Sequence, residues 1–298
     1  MTVASPDIPI CHQIDNKGHS LAAYEWPGEG PTLLLVHATG FHARCWEQVI
    51  VKLGGDHVFA LDMPSHGRSA NRTPPYDWQV FASDIEAVIE QLGLHNVIGV
   101  GHSMGAHTLA LAAARSPELF AGLILVDPVI LSPEVQQRMH GKLSAADNPV
   151  SRRRNQWASA EEMFENFKHK LPFSAWDHQV LKDYCNHGLV PAGSGEGFEL
   201  ACPPALEAEV YAASTDPFIY QALPKLTMPV DVIRARLADG SPREHDFANS
   251  PTWPELAAHL PDGVDEHLGD RSHFIPMETP QWMAERIQRF QRDRVGVR

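Results

Sequence analysis

The chain has 298 residues, 43% of them apolar and 20% charged, with 24 Lys and Arg against 37 Asp and Glu for a formal charge of −13. That balance fits a globular protein, not a disordered one. It excludes nucleic acid or an anionic membrane surface as the expected main partner, because both call for clustered cations.

The one basic run, Arg152-Arg153-Arg154, lies among polar residues and reads as solvated surface. Cys11, Cys45, Cys185 and Cys202 are scattered without a CxxC spacing, so free thiols in a reducing compartment are expected, not a disulfide framework or a zinc site. The opening M-T-V-A-S-P-D-I-P-I lacks the basic and apolar regions of a secretory signal. No apolar stretch approaches the roughly 18 residues that a membrane span needs. The expectation is a cytoplasmic protein.

In chain order, H-Q-I-D and S-L-A-A-Y-E-W flank Asn16-Lys17-Gly18 as a hairpin. T-L-L-L-V (32–36) is an apolar run without alternation, the pattern of a parallel strand covered on both faces. H-V-F-A-L (57–61), N-V-I-G-V (96–100), L-I-L-V (123–126) and V-D-V-I (230–233) repeat it. Between them lie helices. Val80, Phe81, Ile85, Val88, Ile89 and Leu92 share one face at 3.6 periodicity, with Asp77 as the N-cap. Met104–Arg115 is rich in Ala and Leu and is closed by Ser116-Pro117. This alternation predicts an α/β fold with a mostly parallel, doubly wound sheet.

The rhythm breaks between residues 131 and 225, where only helical patterns and loops occur before V-D-V-I resumes the strands. The expected organisation is a core domain formed by 1–130 and 226–298, with an all-helical cap, 131–225, inserted after strand six. Of its large aromatic residues, Trp157, Phe164, Phe167, Phe173, Trp176, Tyr184, Tyr211, Phe218 and Tyr220, most are expected to form its own core and a minority to face the sheet edge below.

Residues 99–107 read G-V-G-H-S-M-G-A-H. Ser103 sits where a buried strand turns directly into a helix. Such a turn strains the backbone, and Gly101 and Gly105 remove the Cβ atoms that would collide. The product is a hydroxyl raised above the carboxyl edge of the sheet, where open α/β sheets bind ligands. Ser103 is therefore the candidate nucleophile.

At this point the sequence resembles the α/β-hydrolase family over nearly its whole length. L-L-L-V-H-A-T-G-F (33–41) resembles the family's strand and oxyanion loop, and D-M-P-S-H-G-R-S (62–69) its D-x-x-G-H-G-x-S turn, with Ser65 in place of the first glycine. G-H-S-M-G (101–105) is similar to its nucleophile elbow, and R-S-H-F-I-P-M-E-T-P (271–280) to the segment that carries the catalytic histidine.

The resemblance implies that His273 is the base. His66 and His102 read as structural, and His37 as orienting the oxyanion loop. Backbone amides of Met104, directly after the nucleophile, and of Thr39 would form the oxyanion hole. Ala38 stands where the family has a glycine. Two carboxylates remain open as the third member of the triad. Asp127 ends a strand and is rigidly placed, whereas Asp239 follows the next strand in a longer polar loop; the reading favours Asp127.

The implied activity is that of a serine hydrolase acting on a small to medium carboxylic ester, with no metal or cofactor. Its expected partner is that small molecule, with neither nucleic acid nor membrane, and the chain is expected to be a monomer or homodimer. A lactone, a thioester or a carbon–carbon bond of a ring-cleavage product stays open as the alternative target of the same triad. A ligand receptor on this scaffold is the reading from another class.

Overall fold

Buried strands that show no alternation form the spine of the computed structural model, which describes residues 8–237 and 249–296. In chain order the strands of the sheet are β1 (Ile10–Asn16), which is mostly exposed, then β2 (His19–Trp26), β3 (Thr32–Val36), β4 (His57–Leu61), β5 (Val97–His102) and β6 (Phe120–Val126). After an insertion containing β7 (Gln156–Trp157), β8 (Leu189–Pro191) and β9 (Phe198–Leu200) come β10 (Val230–Arg234) and β11 (Gly263–His267). The large sheet has the order β1-β2-β4-β3-β5-β6-β10-β11, with the β1–β2 and β2–β4 pairs antiparallel and the rest parallel. The expected hairpin is present, with Lys17 and Gly18 at positive φ in its turn.

Helices cover both faces, as continuous apolar strands require. One face carries α1 (Glu47–Leu53) and, near the C-terminus, the short α9 (Ile275–Glu278) and α10 (Pro280–Phe290). The other carries α2 (Trp78–Gln91) and α3 (Met104–Arg115). Asp77 caps α2 by accepting from the Gln79 amide at 2.8 Å. Trp78, Phe81, Ile85, Val88 and Ile89 of that helix are all buried, each contributing about 1.5–3 kcal/mol over exposure.

The insertion carries α4 (Pro133–Met139), α5 (Ala160–Phe167), α6 (His178–His187), α7 (Pro204–Ala212) and α8 (Ile219–Ala222). The expectation of an all-helical segment is corrected in one respect. It also holds a three-stranded antiparallel sheet in the order β7-β9-β8. These strands have only two or three residues each, too short for a period of two to register. The β8–β9 turn is made by the glycine-rich P-A-G-S-G-E-G (191–197), with Gly195 and Gly197 at positive φ.

The aromatic residues divide as expected. Trp157, Phe164 and Phe167 pack among the insertion's own helices. Trp176 and Tyr184 reach down to Phe41, with ring centroids 5.5 Å away in each case. A single apolar cluster thus joins the insertion to the loops at the carboxyl edge of the sheet, including Ala38, Phe41 and Phe274. No helix among the described residues is long and apolar enough to cross a membrane.

Candidate active site

Ser103 is the one residue between the end of β5 and the start of α3, and it carries φ 57° and ψ −115°. A side chain rarely adopts that conformation, so its surroundings must hold it. Its N–H donates to the Val126 carbonyl at 2.9 Å, and its carbonyl accepts the first helical bond from His107 at 3.2 Å. The glycines have a steric cause. A Cβ on Gly101 would collide with the backbone of Ala106, and one on Gly105 with the Val36 carbonyl.

The three expected side chains meet. Ser103 Oγ is 3.0 Å from His273 Nε2, and His273 Nδ1 is 2.5 Å from Asp127 Oδ2. All three residues are buried. Asp127 lies one residue beyond β6 at φ 43°, and its amide donates to the Ile233 carbonyl at 2.6 Å. The strand ladder itself thus fixes where this carboxylate starts. Asp239, the other candidate acid, lies outside the described residues.

The second carboxylate oxygen of Asp127 has partners that no sequence motif pointed to. Oδ1 accepts from the Ala235 amide at 2.9 Å, Ser250 Oγ at 2.5 Å and Thr252 Oγ1 at 3.3 Å. Such donors fix the plane of the carboxylate. Ser250 and Thr252 stand more than a hundred residues away in an S-P-T-W segment with no periodicity, so only the fold brings them here.

His273 is steadied from behind. Its carbonyl accepts from His102 Nε2 at 2.8 Å, which makes the other nitrogen of His102 the unprotonated one. Burial pushes the His102 pKa down to about 3, so that ring stays neutral. His37 and His66 are neutral for the same reason, and their partners define their tautomers. His37 donates from Nδ1 to the Ala38 carbonyl at 2.7 Å and accepts from the Met63 amide at 3.0 Å. His66 donates from Nδ1 to the Pro64 carbonyl and accepts from the Gly40 amide, both at 2.9 Å. Burial lowers its pKa to about 4. These three rings are scaffold for the loops, in agreement with the sequence reading.

Thr39 and Gly40 are the central residues of a turn closed by Phe41 N–H to the Ala38 carbonyl at 3.1 Å. Gly40 has φ 81°, the left-handed geometry that a type II turn requires at its third position. The amides of Thr39 and Met104 donate to no acceptor among the described residues. Met104 is the first residue of α3, where the helix dipole is positive. Ser65, in the glycine position of its turn, adopts φ 63° and bonds to Tyr76 Oη at 2.5 Å and the Arg72 amide at 2.9 Å.

The basic run is not uniformly solvated. Arg152 and Arg154 are exposed, but Arg153 turns inward, with Nη2 3.0 Å from Oε2 of the buried Glu207. A run of three arginines offers no clue to which one faces in; the partner lies 54 positions away on α7. Gly40, Phe41, Arg153, Tyr184 and Cys202 line a small, partly open pocket beside the turn. Among the described residues, no group of three His, Cys, Asp or Glu side chains is arranged to hold a metal ion.

A family model described as the alpha/beta hydrolase family matches residues 33–286. The chain belongs to that family. This hydrolase is 26% identical over 287 residues to the uncharacterized hydrolase YugF of Bacillus subtilis, covering 90% of this chain and 92% of that one. It is 35% identical over 127 residues to esterase Rv0045c of Mycobacterium tuberculosis, a match that spans 42% of this chain and 41% of the esterase. In fold it is similar to the crystal structure of E-2-(acetamidomethylene)succinate hydrolase, with a TM-score of 0.74 at 19% identity, covering 95% and 98% of the two chains. Esterases and other hydrolases are thus among its relatives.

Proposed function

We propose that this hydrolase is a serine esterase that cleaves small to medium carboxylic esters through an acyl-enzyme. The observation that carries the reading is the unbroken chain of hydrogen bonds from Ser103 Oγ through His273 to Asp127. A serine hydroxyl is a poor nucleophile until a base takes its proton. His273 Nε2 accepts that proton as Ser103 Oγ attacks the ester carbonyl. Asp127 holds the ring with Nδ1 protonated and stabilises the imidazolium that forms. The carbonyl oxygen becomes an oxyanion, and the amides of Thr39 and Met104 donate to it.

Collapse of the intermediate breaks the bond to the alcohol, which leaves with the proton from His273. Water then attacks the acyl-enzyme, with His273 as base again, and the carboxylic acid departs from a restored Ser103. The insertion acts as a cap that keeps solvent from the site. Its mostly apolar underside, with Trp176 and Tyr184, suits an uncharged substrate. Arg153 brings a cation near the turn, but Glu207 neutralises it. That favours simple esters over the charged dienoates of ring-cleavage chemistry.

The test is hydrolysis of p-nitrophenyl esters from acetate to dodecanoate by the wild type and Ser103→Ala. Removing the nucleophile is expected to cost on the order of 10⁶-fold in kcat. Equal rates in both proteins would refute the serine reading.

A further inference from the structure

The Ala38–Phe41 turn closes on itself through the Phe41 amide and is supported from the core at two points, where His37 donates to the Ala38 carbonyl and the Gly40 amide donates to His66. On its other side it meets the insertion at a buried charge. Oε1 of Glu207 lies against Gly40, where a Cβ would overlap it, and Glu207 is 3% exposed. Arg153 holds the other oxygen at 3.0 Å, and Tyr184 and Cys202 line the same pocket.

A buried ion pair is an expensive way to fill space. Desolvating two charges costs several kcal/mol, and an apolar pair of similar volume often serves stability better. Arg153 also keeps a buried Nε without a hydrogen bond among the described residues. Stability alone therefore does not account for the pair. Its position does: the carboxylate presses on the residue next to Thr39. The guanidinium cancels a negative field that would otherwise oppose an oxyanion forming there.

Resting on the serine-hydrolase reading, we infer that Glu207, held by Arg153, is a positioning residue that seats the oxyanion turn from the cap side. Catalysis then depends on the cap being closed, because the turn is fully braced only when α7 lies against Gly40. In this role Glu207 meets none of the reacting atoms. It acts through where it puts the Thr39 amide.

The experiment compares the full-length wild type, Glu207→Gln and Arg153→Lys on p-nitrophenyl acetate, a small neutral ester that leaves Arg153 nothing to bind. Glu207→Gln is expected to lower kcat about 10–100-fold, less than the roughly 10²–10³ lost when an oxyanion donor is removed outright. KM should hold. Affinity for a small trifluoromethyl ketone, which forms a tetrahedral oxyanion on Ser103, should fall by the same factor as kcat. Arg153→Lys, which keeps the charge, should retain most of the activity.

Should Glu207→Gln fail to fold, Gly40→Ala made in the wild type and in Glu207→Ala decides. Coupling between the two sites supports the brace, and additive effects refute it. A raised KM with kcat held would make the pair a substrate-binding element, and an unchanged kcat would leave the turn to the core alone; either overturns the inference. Ser103→Ala run alongside separates the two claims. Turnover that does not depend on Ser103 overturns the hydrolase reading itself, whereas a Ser103-dependent rate indifferent to Glu207 overturns only the brace.

Discussion

The two halves of this site are held by different means. Ser103 and Asp127 each stand one residue past the end of a strand, each at positive φ, and each is anchored by a backbone bond to the neighbouring strand. The proposed oxyanion turn is instead contacted by side chains from distant segments: His37, His66, and on the insertion side Glu207 with Arg153. The proposed nucleophile and acid inherit rigidity from the sheet, and the turn inherits it from tertiary packing. Strand ends suit groups that must meet within about half an ångström. A turn braced across a seam between insertion and core can instead respond to what happens in that seam.

The largest effect that sharpens this contrast is expected at Asp127. Asn tolerates the left-handed conformation that Asp127 adopts, so Asp127→Asn leaves the strand end intact and removes only the charge and tautomer control. In Ser-His-Asp enzymes that loss costs about 10⁴-fold in kcat. The measurement is kcat on the best p-nitrophenyl ester at unchanged melting temperature. A loss no larger than that of Glu207→Gln would erase the proposed difference between strand-anchored and cap-braced groups.

A smaller effect concerns acid. Burial depresses the pKa values of His42 and His102 to about 3 and of His66 and His107 to about 4. Below about 6.5 the unfolded rings bind protons that the folded ones refuse, so stability falls as pH drops toward these values. Asp62 works in the opposite direction. Burial raises its pKa to about 6, so its contribution is greatest below about 4 and is lost as pH rises through 6. Burial also raises the pKa values of Asp56, Glu86, Asp183, Glu207 and Asp216, which act like Asp62. His37 and His187, however, join the depressed rings, and each fully buried ring costs about 1.4 kcal/mol per pH unit below about 6.5. The melting temperature should therefore drop between pH 6.5 and 4.5. A flat profile would contradict neutral histidines as the scaffold of the loops.

The same contrast explains what could be read from the sequence. The core was legible because buried parallel strands leave unbroken apolar runs, and because strand-to-helix turns demand glycine where Gly101 and Gly105 stand. Ser103, Met104 and Asp127 lie in or beside such local patterns, whereas His273 and Thr39 were legible only through the resemblance of their segments to the family's motifs. Ser250, Thr252, Arg153 and Glu207 have neither signal. Each earns its place through a partner far along the chain, and none sits in a repeat or spacing that would reveal it. The small sheet in the insertion escaped for a related reason, since two or three residues cannot display a period. Arg153 misled because neighbouring arginines look alike until a buried carboxylate selects one.

The central claim is that Ser103 is a nucleophile activated by His273. Its most direct measurement is intact-protein and peptide mass spectrometry after exposure to a fluorophosphonate, which phosphorylates activated serines and loses fluoride. The account predicts one adduct per chain, on the peptide containing Ser103, forming far more slowly in His273→Ala. No adduct, or one on a different serine, would contradict it.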